Sequence, residues 1–168
     1  RREAPKRRRD LHDFCHVLQV DVGAGWVDVE GLCSYEALVD ATLPHGVMPA
    51  VVPQLKSITV AGAVAGVGIE ATSFRQGLVH DTLLAIDVLL PQGEVLHCTP
   101  DNEHRELFFG FANSYGTLGY ALRLRLRTLP VKAHVQVRHQ RYQQPEAFLG
   151  ALAEQFAEDI VLMHSVGL

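Results

Sequence analysis

The alternation of apolar and polar residues along the chain predicts mainly β-strands that pair as hairpins. Two short strands are predicted at 16–21 and 26–30, around a Val-Gly-Ala-Gly turn, and two more at 83–90 and 95–99, around Pro-Gln-Gly-Glu. In 120–129, leucines alternate with arginines, which is typical of a strand with one buried and one wet face. Hairpins of this kind favour an antiparallel sheet.

Two further segments have a weaker strand pattern. Residues 133–141 alternate in the same way and predict another strand. Residues 47–52 are apolar but carry Pro49, and Pro53 follows them, so extended chain is expected there rather than a central strand.

Helices are predicted singly between these strands. Ser34 stands at an N-cap position before a helical pattern at 35–43, and another helix is expected at 103–111. Pro145 opens a third helix, and 160–163 predict the start of a strand. Strands in hairpins with single helices between them indicate an α+β fold, not a doubly wound parallel sheet.

Composition indicates an ordinary globular domain. The 168 residues are 48% hydrophobic and 20% charged, enough for one core or for two small lobes that share it. No apolar run reaches the roughly 18 residues of a membrane span. Three cysteines without a CxxC pair favour neither a disulfide framework nor a four-ligand zinc site, so a cytoplasmic location is expected.

Charge is distributed unevenly. Residues 1–9 contain six basic side chains and one acid, and the rest of the chain has 9 basic against 18 acidic residues. The acidic remainder argues against nucleic-acid binding. The basic segment is interpreted as solvated chain, with a phosphate-binding arm as the alternative.

The segment 59–77 is the most informative because glycine and alanine dominate it. Bare main chain can approach a ligand closely, and exposed N–H groups could cradle a pyrophosphate or the edge of a flat heterocycle. A tightly packed core turn is an equally good interpretation. The glycine spacing fits neither GxGxxG nor a P-loop.

Residues 55–78, Leu-Lys-Ser-Ile-Thr-Val-Ala-Gly-Ala-Val-Ala-Gly-Val-Gly-Ile-Glu-Ala-Thr-Ser-Phe-Arg-Gln-Gly-Leu, closely resemble the flavin-binding loop of PCMH-type FAD-linked oxidoreductases. These form the vanillyl-alcohol oxidase superfamily, and the resemblance is to its delta(24)-sterol-reductase-like branch. Further agreement lies at 96–100, at 101–108 and in Ser-Tyr-Gly-Thr-Leu-Gly-Tyr at 114–120. Ala61 departs from the glycine that is usual at its position in the family.

The resemblance implies a cofactor, FAD, and the residues that contact it. These are Thr59, Val60, Ala61, Gly62, Ala63, Val64, Ala65, Gly66, Val67, Gly68, Ile69, Glu70, Ala71, Thr117 and Gly119. No catalytic residue is assigned. The histidines show no metal-ligand spacing, and His97 and Cys98 on one strand would point to opposite faces, so no metal site is predicted.

The resemblance also implies a domain plan and an activity. Residues 1–10 form the basic segment, 11–141 a PCMH-type FAD-binding domain incomplete at its N-terminal side, and 142–168 the start of a truncated cap region. The expected activity is hydride transfer to or from an apolar, sterol-like small molecule, with a nicotinamide or another electron donor or acceptor as partner. A truncated, non-catalytic relative that acts as a binding or assembly module is the alternative.

Overall fold

The structure, a computed structural model, describes residues 11–137 and 139–157, with no side-chain description for 155–157. The basic segment and the strand predicted at 160–163 lie outside these residues. The chain divides into two compact units, Arg1–Val131 and Lys132–Leu168. The proposed domain boundaries at 10 and 141 remain predictions.

The first unit is built on a six-stranded antiparallel sheet, and this confirms the α+β class. Its strands are β1 (Val17–Asp21), β2 (Trp26–Glu30), β3 (Val47–Pro49), β4 (Leu83–Leu89), β5 (Val95–Cys98) and β6 (Tyr120–Pro130). The order across the sheet is β1-β2-β6-β4-β5, and β3 pairs with the far end of β6. Both predicted hairpins, β1–β2 and β4–β5, are therefore confirmed.

Four α-helices accompany the sheet in the described part of this unit: α1 (Tyr35–Thr42), α2 (Val60–Gly66), α3 (Ser73–Gln76) and α4 (Arg105–Phe111). Ser34 is the N-cap of α1, as predicted, and its Oγ accepts a hydrogen bond from the Ala37 N–H at 3.2 Å. The helix α2 lies inside the glycine-rich segment 59–77, for which no helix is predicted from the sequence.

The core lies between one face of the sheet and the helices. Val27 and Val29 of β2, with Leu124 and Leu126 of β6, are at most 1% exposed. They share one apolar cluster with side chains of the other central strand and of three helices: Ile86, Val88, Tyr35, Leu38, Val60, Val64, Phe108 and Phe111. The alternation in β6 therefore has the predicted cause, since its leucines face this core.

The second unit contains α5 (Pro145–Ala157), which begins at the predicted proline. The Tyr142 ring packs edge-on against Phe148, with centroids 5.7 Å apart. The strand predicted at 133–141 is wrong, because the described residues of this stretch form no strand. Val135 and Val137 are 86% and 69% exposed, so the alternation there has no sheet face to bury.

Candidate functional site

Two helices begin side by side above the sheet. Thr59 is the N-cap of α2, and its Oγ1 accepts a hydrogen bond from the Gly62 N–H at 3.3 Å. An isolated antiparallel bridge joins Thr59 to Ser34, the N-cap of α1. The start of α2 is thus fixed by both a side-chain cap and main-chain pairing.

The first amides of α2 are used within the chain. The Val60 N–H donates to the Cys33 carbonyl and the Ala61 N–H to the Gly31 carbonyl, each at 2.9 Å. Gly31 must be glycine, because a Cβ there would overlap the carbonyl oxygen of Ala121 in β6. The expectation of free N–H groups is therefore not met at the first three positions of α2.

The two sides of α2 differ sharply. Val60, Ala63 and Val64 are at most 5% exposed and belong to the core. Thr59 and Gly66 are half-buried and Gly62 is exposed, and their spacing of three and four residues places them together on another side of the helix. We call these three residues the glycine face.

Gly66 has no packing reason to be glycine. A Cβ at Gly66 would meet no atom within 4 Å, and one at Gly62 would meet only Thr59 Oγ1, at 2.9 Å. Glycine in a helix costs about 1 kcal/mol relative to alanine. A bare helix surface beside open space fits a ligand that approaches the main chain closely.

Other glycines of the predicted set are explained by packing. A Cβ at Gly68 would lie 2.6 Å from Val79 Cγ2, and one at Gly119 would lie 2.6 Å from the Leu89 carbonyl oxygen. Gly119 also has φ +151°. The interpretation of tight core packing therefore accounts for these two positions, but not for Gly66.

The loop 113–119 joins the C-terminal half of α2. The Asn113 N–H donates to the Val64 carbonyl at 3.4 Å, and the Tyr115 N–H to the Ala65 carbonyl at 3.0 Å. Thr117 is exposed, and its hydroxyl donates to the Ser114 carbonyl at 2.7 Å. The structure therefore brings together the two sequence segments that were predicted to share a site.

Backbone strain is concentrated at this junction. Val67, Asn113 and Tyr115 have φ values of 63°, 58° and 50°, and no other non-glycine residue among those described has a positive φ. Such conformations cost of order 1 kcal/mol or more and persist where the surroundings enforce them.

The remaining predicted residues lie beyond the end of α2. Ile69 is 69% exposed, and Ala71 is half-buried. Glu70 is half-buried, and its carboxylate accepts a hydrogen bond from the Gln54 N–H at 3.0 Å. This hydrogen bond connects the loop after α2 to the segment before it.

The other face of the sheet carries an ion network that sequence reasoning missed. Asp28 is 1% exposed, although it alternates along β2 with the core-facing Val27 and Val29. Arg125 donates to both of its carboxylate oxygens at 2.8 Å, and Arg123 donates to one of them. The Arg125 guanidinium also stacks on the Trp26 ring, 3.8 Å from its centroid.

This network lines a cavity of about 150 Å³ on the outer side of β2, β4, β5 and β6. Asp87 and His97 complete its polar lining, with 2.5 Å between Oδ1 and Nδ1. Burial alone would raise the pKa of Asp28, but the hydrogen bonds and charges of Arg125 and Arg123 outweigh it, so that pKa is lowered. The arginines of β6 therefore hold a buried carboxylate rather than forming a solvated ladder.

The cysteines occupy different surroundings. Cys15 is exposed, whereas Cys33 and Cys98 are buried, and all three are free thiols. Burial, followed by the charges of Cys15 and Glu30, raises the pKa of Cys33 to about 11, so this thiol stays protonated at neutral pH. His97 and Cys98 point to opposite faces of β5, as predicted; in the structure His97 faces solvent and Cys98 faces the core.

The described part of the chain contains neither a metal-binding cluster nor a helix able to cross a membrane. No group of three or more His, Cys, Asp or Glu side chains there could hold a metal ion. None of its helices has the length and apolar character needed to cross a bilayer.

Comparison with known families decides the identity of this fold. The family model described as an FAD binding domain matches residues 10–99, more than half of the chain. The chain belongs to this family. FAD is accordingly the cofactor of this domain type, and the resemblance seen in the sequence is confirmed.

Several relatives resemble this FAD-binding domain. A delta(24)-sterol reductase from Pisum sativum is 33% identical over 128 residues, which are 76% of this chain and 23% of the relative. The reductase of the same name from Rattus norvegicus is 32% identical over 143 residues, which are 85% of this chain and 27% of the relative. Cytokinin dehydrogenase 7 from Oryza sativa subsp. japonica is 32% identical over 70% of this chain and 23% of the relative. The chain spans about a quarter of these relatives.

A solved structure supports the fold. The 6-hydroxy-D-nicotine oxidase of Arthrobacter nicotinovorans superposes with a TM-score of 0.63 at 19% identity, covering 68% of this chain and 25% of that one. The PCMH-type architecture expected from the sequence is thereby confirmed.

The FAD-binding domain offers two local features that fit its cofactor. One is the open space outside Gly66. The other is Ser114, whose Oγ is buried and makes no hydrogen bond to any described residue. The sequence alone assigns Ser114 no role, because only the fold shows that its hydroxyl lacks a partner among the described residues.

Proposed function

We propose that this chain is the FAD-binding domain of a flavin-dependent oxidoreductase, and that it holds the cofactor along the glycine face of α2. The observation that carries the proposal is Gly66, a helical glycine with open space where its Cβ would be. Family membership supports FAD as the ligand that occupies this space.

The residues around the glycine face have different proposed roles in FAD binding. Gly62 and Gly66 let the cofactor reach the main chain, and Thr59 Oγ1 accepts from Gly62 while its proton remains available for an acceptor such as a phosphate oxygen. Among the other residues of the predicted set, Val60, Ala63, Val64, Gly68 and Gly119 support this surface from the core side, and the rest border it: Ala61, Ala65, Val67, Ile69, Glu70, Ala71 and Thr117. Bound FAD supplies the hydride-accepting ring of the reaction.

The substrate proposed for the whole enzyme is an apolar, sterol-like organic molecule. The similarity to delta(24)-sterol reductases over 76% of this chain supports it. A nicotinamide or another electron donor or acceptor is proposed to exchange electrons with the flavin. We also propose a cytoplasmic location, because all three cysteines are free thiols.

The test is a titration of the purified chain with FAD, comparing wild type with Gly66→Leu. The leucine meets no atom of the chain's own fold at its Cβ but projects into the proposed cofactor space. We expect affinity to fall at least tenfold, about 1.4 kcal/mol or more. The melting temperature should not fall, because leucine is a better helix former than glycine.

Gly150→Leu is the matched control, since Gly150 is also a helical glycine with nothing within 4 Å of its Cβ. It should bind FAD like wild type. Equal FAD affinity of Gly66→Leu and Gly150→Leu would contradict the proposed position of the cofactor. Folded wild type that binds no FAD would favour a non-catalytic binding or assembly module.

A further inference from the structure

Tyr115 occupies a position that neither burial nor backbone conformation explains. Its side chain is 74% exposed, so it contributes little to the core. Its φ of 50° lies in the left-handed region, between Asn113 at 58° and Gly116 at 76°. Asparagine or glycine would adopt this conformation more easily than a bulky aromatic residue.

The turn places the Tyr115 backbone against the C-terminal end of α2. Its N–H donates to the Ala65 carbonyl at 3.0 Å, and Ala65 directly precedes Gly66. The Asn113 N–H, bound to the Val64 carbonyl, fixes the same turn one step earlier. The backbone from which the ring projects is therefore anchored to the helix whose outer side is bare.

We propose that Tyr115 is an aromatic contact for one of the two flat ring systems of FAD, adenine or isoalloxazine. The inference rests on the proposed function. A tyrosine ring on a fixed turn offers a large flat surface with few rotatable bonds, and its hydroxyl can stay in water while the ring stacks on a heterocycle. Binding thus supplies the reason for an exposed aromatic residue in a strained turn.

The test compares the FAD affinity of the full chain with Tyr115 intact and with Tyr115→Asn. Asparagine tolerates the left-handed backbone, so the variant should fold and melt no lower than wild type. Loss of an aromatic stacking partner should weaken FAD binding about tenfold. Tyr115→Phe, which keeps the ring, should bind FAD within about twofold of wild type.

FMN, which lacks adenine, distinguishes the two ring systems. If Tyr115→Asn weakens FAD binding but leaves FMN binding unchanged, the ring contacts adenine. If both ligands bind more weakly, the ring contacts isoalloxazine, and the fluorescence of bound flavin should differ between the two proteins. Either result supports the proposal.

The experiment distinguishes a failure of the inference about Tyr115 from a failure of the proposed function. If wild type and Tyr115→Asn bind FAD equally, the inference about Tyr115 is overturned and the proposed function stands. An equal loss in Tyr115→Phe would also overturn it, because the ring is then not the group that matters. If wild type binds neither ligand, the proposed function fails for this chain, and the role of Tyr115 fails with it.

Discussion

At the scale of single residues, Val67 is the strained end of α2. It is the C-cap, with φ 63° and ψ 89°, where glycine is the usual residue. This conformation is unfavourable for a β-branched residue. We expect Val67→Gly to be more stable than Val67→Ala by about 1 kcal/mol, because both remove the side chain but only glycine relieves the backbone. Denaturant unfolding of the two variants measures the difference.

Val64 is the control, and we expect its alanine and glycine variants to have the opposite order of stability. It lies in the interior of α2 and is fully buried. Here Val64→Ala should be more stable than Val64→Gly by about 1 kcal/mol, since glycine is the poorer helix former. If the alanine variant were more stable than the glycine variant at both positions, Val67 would not be strained.

Sequence composition could indicate bare main chain at 59–77, but it could not separate one glycine from another. Gly66 and Gly68 look alike in the sequence. They differ because Val79 lies behind Gly68, whereas nothing in the chain lies outside Gly66. That difference depends on tertiary contacts, which composition does not encode.

At the scale of secondary-structure elements, β2 and β6 are joined by the ion network of Asp28. Removing its charge with Asp28→Asn leaves Arg123 and Arg125 without a carboxylate, and because both arginines are partly exposed it should destabilise the fold by about 1–2 kcal/mol at pH 7. Because the pKa of Asp28 is lowered in the fold, its contribution is present above the ordinary aspartate pKa and is lost as pH falls through the folded value. The deficit of the variant should therefore shrink between pH 7 and pH 3.

Denaturant unfolding across this pH range gives the measurement. Asp101→Asn, at an exposed position, is the control and should stay close to wild type throughout. A deficit for Asp28→Asn that is constant with pH would contradict the assignment of this network.

Strands were easier to predict than the helix at the site. The leucine–arginine alternation marks β6 because its leucines reach a core, whereas the same alternation at 133–141 reaches none. The helix α2 forms despite its glycines because Val60 and Val64 are buried and its first amides find carbonyl acceptors. These acceptors come from residues about 30 positions earlier, beyond any local pattern.

At the scale of the whole molecule, the sheet holds two chemically different surfaces apart. Helices cover its apolar face and present the glycine face beyond it, while the Asp28 network occupies the opposite face. We propose that the cofactor binds on the helical side only. The resemblance in the sequence indicated the right family, but only the fold shows which side of α2 is open.

Amide hydrogen exchange, measured by mass spectrometry with and without FAD, tests this position of the cofactor. We expect FAD-dependent protection in peptides that cover 59–71 and 113–119, and none in peptides that cover β5 or the outer cavity. Protection confined to the Asp28 side of the sheet, or unchanged exchange in both predicted segments at saturating FAD, would contradict it.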